Sequence, residues 1–125
     1  MTRAAPPPDP RRMETPIAGW HAHVYYDPAA TRAAAEAVRA GLAERFPEAV
    51  LGRWHDVPVG PHTAAMYQVA FPPGLFPALV PWLALNRRDL SVLLHPETGR
   101  QRADHTRHAL WMGPPLPLKA EILPE

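Results

Sequence analysis

The chain has 125 residues, a formal net charge of +1 and no cysteine. That length fits one domain with a core of its own. The lack of cysteine excludes disulfides, thiolate metal sites, iron–sulfur clusters and a cysteine nucleophile. The near-neutral charge, with no dense Lys/Arg run, argues against nucleic acid as a partner. No apolar stretch approaches the ~20 residues that span a bilayer. The segment Met1 to Arg12 lacks the apolar stretch of a signal peptide, and a cytoplasmic location is expected.

Proline is the compositional outlier, at 18 residues, several of them in the two ends. Residues 1–16 are expected to be a disordered, proline-rich tail, with a single domain over 17–125. The first strand is expected over Trp20 to Tyr26. Asp27 as N-cap and Pro28 at the first helical position open a helix. Val38, Leu42 and Phe46 recur every four residues as its buried stripe, and Pro47 ends it. A second strand is expected over Val50 to Asp56, followed by the loop Pro58-Val59-Gly60-Pro61-His62. A third strand runs from Ala65 to Phe71, with Met66, Gln68 and Ala70 on one face and Tyr67, Val69 and Phe71 on the other. Leu75 to Asn86 reads as a second helix, with Pro77 in its first turn and Pro81 kinking or splitting it. Leu90 to His95 is a fourth, very apolar strand. Asp104 then caps a last short helix reaching about Trp111.

The order β-α-β-β-α-β is the ferredoxin-like pattern, an α+β fold with an antiparallel sheet ordered 4-1-3-2 and extended terminal segments. Both helices cover one face. A partner, the C-terminal segment, or ligand and water must cover the other.

Seven histidines are distributed through these elements. His21 and His23 lie two apart on strand one, so both imidazoles project from one face with Tyr25, while Ala22, Val24 and Tyr26 face the helices. Strand four lies beside strand one, which brings His95 near His21. Three imidazoles from neighbouring strands can form a facial metal site with a position left open, and imidazole also suits iron, copper or nickel. His55 and His62 flank the loop at the far end of the sheet, roughly 15–20 Å away unless the loop folds over the open face or a second subunit supplies them. His105 and His108 share a helix face and form a rival pair. The alternatives are bland. His-x-His on a strand is also met as a surface pair, and a histidine beside prolines is often a loop residue bonded to backbone. Trp82, Trp111, Leu93 and Leu94 are expected in the core. Tyr25 and Trp54 fit a core, an interface or a wall against an aromatic substrate. Arg53 and Arg87 are solvated or hold a substrate carboxylate.

Seven blocks then appear in order: Trp20-His21-Ala22-His23-Val24-Tyr25-Tyr26, Gly52-Arg53-Trp54-His55, Pro58 to His62, Pro81 to Arg87, Leu94-His95-Pro96-Glu97-Thr98-Gly99, Asp104-His105 and Ala109 to Gly113. Together they resemble the DOPA 4,5-dioxygenase family from about residue 20 to 118. The resemblance implies a non-haem iron(II) oxidoreductase that opens a catechol ring by extradiol cleavage, with dioxygen as co-substrate. It carries over His21, His23, His55, His62, His95 and His105. On this reading His21, His23 and His95 bind iron, or zinc in its place. His62 is the first acid/base residue, and His55 and His105 are the next. Arg53 and Tyr25 contact the substrate. Many such oxygenases use two histidines and a carboxylate, so the set is either all-histidine or completed by Asp56, Glu97 or Asp104. The competing reading is a non-catalytic homodimeric ferredoxin-like module that binds a ligand or a structural metal. A homodimer is expected on either reading.

Overall fold

The computed structural model describes residues 4–7, 9–11 and 15–125. The proline-rich tail expected over 1–16 falls partly outside them. Five strands form one antiparallel sheet in the order β2-β3-β1-β4-β5. They are β1 (Trp20–Tyr26), β2 (Val50–Leu51), β3 (Ala65–Phe71), β4 (Val92–Pro96) and β5 (Leu110–Met112). The helices among the described residues are α1 (Arg32–Arg45), α2 (Phe76–Asn86) and the single-turn α3 (Gln101–His105), with short 3-10 turns at Pro73–Leu75 and Ala120–Ile122. The expected order of the first four strands holds, and β5 adds a fifth beside β4.

Strand alternation sorts the side chains as expected. Ala22, Val24, Tyr26, Tyr67, Val69, Phe71, Val92 and Leu94 meet Ala35, Val38, Leu42, Phe46, Leu79 and Leu83 from the helices. That continuous apolar layer is the main source of stability. The helices lie close because Gly41 of α1 has no side chain. A Cβ there would come within 2.6 Å of the Trp82 ring on α2.

Several boundaries differ from the sequence expectation, each for a local reason. Asp27 does not cap α1. Its Oδ1 accepts from Ala29 N at 2.9 Å, and its carbonyl accepts from Ala30 N and Thr31 N. That side-chain turn competes with helix, and α1 begins at Arg32. The second strand is two residues long instead of seven. After Gly52 the chain leaves the ladder and tucks Trp54 against Tyr67 and Tyr26, then rejoins β3 through one bridge from His55 to Met66. Pro81 does not split α2, which runs through it. The carbonyl that loses its donor to this proline is that of Pro77, in the first turn. The last helix stops at His105, and Leu110–Met112 pairs with β4.

The open face of the sheet is divided in two. Over one half, Tyr25, Met66 and Leu93 are covered by Val59, Trp111, Leu116 and Leu118. The C-terminal segment is tied down there by Thr63 Oγ1 to Pro117 O and by Lys119 N to Pro61 O at 2.8 Å. Over the other half lie the histidines. No helix of the described residues is long and apolar enough to cross a membrane.

Candidate metal centre

Pairing of the central strands builds the site. β1 and β4 place His21 directly opposite His95, with His23 two residues further along β1. His21, His23 and His95 each offer a ring nitrogen within 4.8 Å of the others. His95 is fully buried and His23 nearly so. The loop before β3 folds over the open face, which settles the position of His62. Its ring centroid lies 4.3 Å from that of His23. α3 delivers His105, whose ring is 3.9 Å from that of His95. His23, His62 and His105 therefore form a second group of converging donors, with His23 common to both.

The remaining expected residues lie elsewhere. His55 is half-buried and joins neither group, held by its backbone to Met66. His108 is exposed and bonds Asp104 at 3.0 Å, so it makes no pair with His105. Arg53 is exposed and does not line the histidine cavity. Tyr25 reaches the site through His62, to whose Nδ1 its hydroxyl lies at 2.7 Å. Asp56 bonds Tyr26 and Arg32, away from the cluster.

The hydrogen bonds fix most of the tautomers. His95 Nδ1 lies 3.0 Å from the carbonyl of Pro96, and His105 Nδ1 lies 2.8 Å from that of Gln101. A carbonyl only accepts, so both Nδ1 atoms carry the proton and both Nε2 atoms present a lone pair. His21 Nδ1 faces the Glu97 carboxylate at 3.0 Å and reads the same way. Metal-ligating histidines hold their second nitrogen in this manner. His23 departs from this pattern. Its Nε2 is 3.0 Å from His95 Nε2, and its Nδ1 is the one buried side-chain polar atom without a partner among the described residues. Nitrogens bound to one ion at ~2.1 Å stand about 3 Å apart at right angles. Converging lone pairs and an unpartnered buried nitrogen fit a cation better than a hydrogen-bonded core.

Electrostatics favour the same state. Burial pushes His23 well below its usual range, and the neighbouring imidazoles, His62 first, push it further. Burial, then His105, takes His95 down to about 3 and His62 to about 4. All three are neutral near pH 7, the form that binds a metal. Glu97 is raised by burial and next by the Asp104 carboxylate.

Gln68 and Leu123 were not singled out as site residues in the sequence, and Glu97 and Asp104 stood there only as candidate ligands. Glu97 was one of several carboxylates, and its role is to accept from His21 and, at 3.4 Å, to face His95 Nδ1. Asp104 is buried and accepts from Thr98 N, Thr98 Oγ1 and His108, closing the turn that aims His105 inward. Gln68 of β3 lines the cavity with Met66, and Leu123 of the C-terminal segment forms its rim. Strand alternation from His21 and His23 across to Gln68 could have signalled that residue. The cavity holds ≈ 350 Å³, within the ~300–1,000 Å³ usual for small-molecule sites.

Comparisons with known proteins give the family of the chain. The model of the Dopa 4,5-dioxygenase family matches residues 20–122. The chain is 34% identical over 119 residues to DOPA 4,5-dioxygenase of Amanita muscaria, covering 90% of this chain and 52% of that protein. It is 40% identical over 90 residues to an uncharacterized 21.2 kDa protein of Botryotinia fuckeliana, covering 66% of this chain and 49% of that one. It spans about half the length of both relatives. A crystal structure of a proposed dioxygenase from Nostoc punctiforme superposes with a TM-score of 0.82 at 55% identity, covering 85% of this chain and 90% of that one. The chain belongs to the Dopa 4,5-dioxygenase family.

Proposed function

We propose that the protein is a non-haem iron(II)-dependent extradiol dioxygenase that opens the ring of a catechol such as DOPA or a related catecholic acid. The observation that carries this is the convergence of His21, His23 and His95 from paired strands, with no carboxylate in the group. The proposal therefore takes the all-histidine alternative. Zinc would fit the same nitrogens. Bound there, iron(II) would lower the pKa of a catechol hydroxyl and provide a place for dioxygen.

The protein's own residues do the rest. Glu97 and the Pro96 carbonyl orient His21 and His95 through Nδ1. His62 and His105 line the cavity and share the acid/base work at their Nε2 edges. His55 supports from outside the cluster. The Pro61–His62 backbone, pinned by Leu118 and Lys119, helps exclude water. The β-α-β-β-α-β order supports a ferredoxin-like assignment. Exposed Val50 and Leu110 at the two edges of the sheet support a homodimer, to be checked by light scattering.

The test is oxygen uptake by anaerobically iron(II)-loaded protein, offered catechols including DOPA and caffeate, with a scan for a coloured ring-opened product. Uptake with a new visible band is expected, and chelator should abolish it. His21→Ala, His23→Ala and His95→Ala should lose iron. His62→Gln should keep iron and slow turnover by roughly 10²–10⁴. Protein that holds iron yet consumes no oxygen with any catechol would leave the binding-module reading instead.

A further inference from the structure

We infer that Tyr25 is a positioning residue that makes His62 a hydrogen-bond donor to the cavity, and so separates its role from that of His105. The inference rests on the proposed dioxygenase reading for its catalytic half and on geometry alone for its structural half.

The Tyr25 hydroxyl lies 2.7 Å from His62 Nδ1, and both residues are buried. It bonds no other group among the described residues. A phenol that accepted from Nδ1–H would leave its own proton buried without an acceptor, which is the costlier arrangement. The phenol therefore donates, Nδ1 carries the lone pair, and the proton of neutral His62 sits on Nε2.

His105 has the opposite form, because the Gln101 carbonyl forces its proton onto Nδ1. The two rings, with centroids 6.2 Å apart, thus line one cavity with opposite character. His62 presents an N–H and His105 a lone pair. A neutral imidazole N–H aimed at oxygen stabilises negative charge as it develops during reaction. It is a poor metal ligand in that tautomer, which favours the His21, His23 and His95 group over the one that includes His62.

The tyrosine is itself well fixed. Its ring stacks on Trp111 at 5.8 Å and 20°, and Met66, Leu93, Leu116 and Leu118 belong to the same apolar cluster. The His62 backbone is held separately, by the bridge to Leu118 and by its N–H to Val59 O at 3.0 Å. The C-terminal segment therefore sets both the place of His62 and, through Tyr25, its tautomer.

Long-range proton–nitrogen correlation spectra of the full chain in chelator read each imidazole tautomer directly. His62 should show its proton on Nε2, and His105 on Nδ1. Tyr25→Phe should remove the Nε2–H preference of His62 and leave His105 unchanged. A wild-type His62 protonated at Nδ1 would overturn the inference. This readout needs no metal, substrate or turnover, so it stands or falls whether or not the protein is a dioxygenase. In the iron-loaded enzyme, Tyr25→Phe should lower kcat, by less than the ~10²–10⁴ expected for losing the His62 group itself, while KM and iron content hold. An unchanged kcat would overturn the catalytic half.

Discussion

Mild acid should unfold the metal-free protein more readily than its charge balance implies. His23, His62 and His95 are buried, and each is held below the usual value of 6.5, to about 4 for His62 and about 3 for His95. In each case the unfolded chain takes up a proton that the folded chain refuses. Stability is then full above about pH 6.5 and falls as pH drops toward the folded values. At pH 5.5 each such histidine costs about 1.4 kcal/mol, or roughly 4 kcal/mol for the three together. That is a large part of the ~5–15 kcal/mol typical of a domain. The assay is urea unfolding with chelator at pH 7.5, 6.5 and 5.5. The midpoint should fall by ~2 M across that range. The window lies above the pKa of the lowered carboxylate Asp104, so the loss reports histidine. His21, also lowered by burial, adds to the loss, and His62→Gln should make the pH slope shallower. A midpoint that holds from pH 7.5 to 5.5 would refute the claim that these imidazoles are buried in the neutral form.

Three further outcomes are expected. Gly41→Ala should destabilise by about 1–2 kcal/mol despite the better helix former, because its Cβ meets Trp82 at 2.6 Å; a raised Tm would contradict the close α1–α2 contact. Asp104→Ala should cost ~2–4 kcal/mol by leaving Thr98 and His108 without their acceptor. The same variant should disturb the His105 resonances, and intact resonances would separate Asp104 from the site. Arg53→Ala should leave KM for a catecholic acid within ~2-fold, since the side chain is exposed and outside the cavity; a tenfold rise would restore it as a carboxylate anchor.

The sequence by itself determined the parts that depend on short-range pattern. Alternation along Trp20–Tyr26 placed His21 and His23 on one face and Val24 on the other, because successive strand side chains must point oppositely. The four-residue stripe of Val38, Leu42 and Phe46 marked the buried side of α1. The element order then set the strand order, which brought His95 opposite His21. What depends on long-range closure was decided only by the tertiary structure. His62 lies 37 residues from Tyr25, and it enters the site only because the proline-rich loop is pinned by a C-terminal segment more than fifty residues further on. The five-residue α3 and three-residue β5 carry too few residues for a period to emerge, so Leu110 and Trp111 read as helix until β4 offered an edge to pair with. Glu97 and Asp104 look alike in sequence. Burial and the atoms each meets made one an orienting acceptor for imidazoles and the other the clasp of a turn. Local pattern fixes which way a side chain points, and only closure of the chain fixes what it meets.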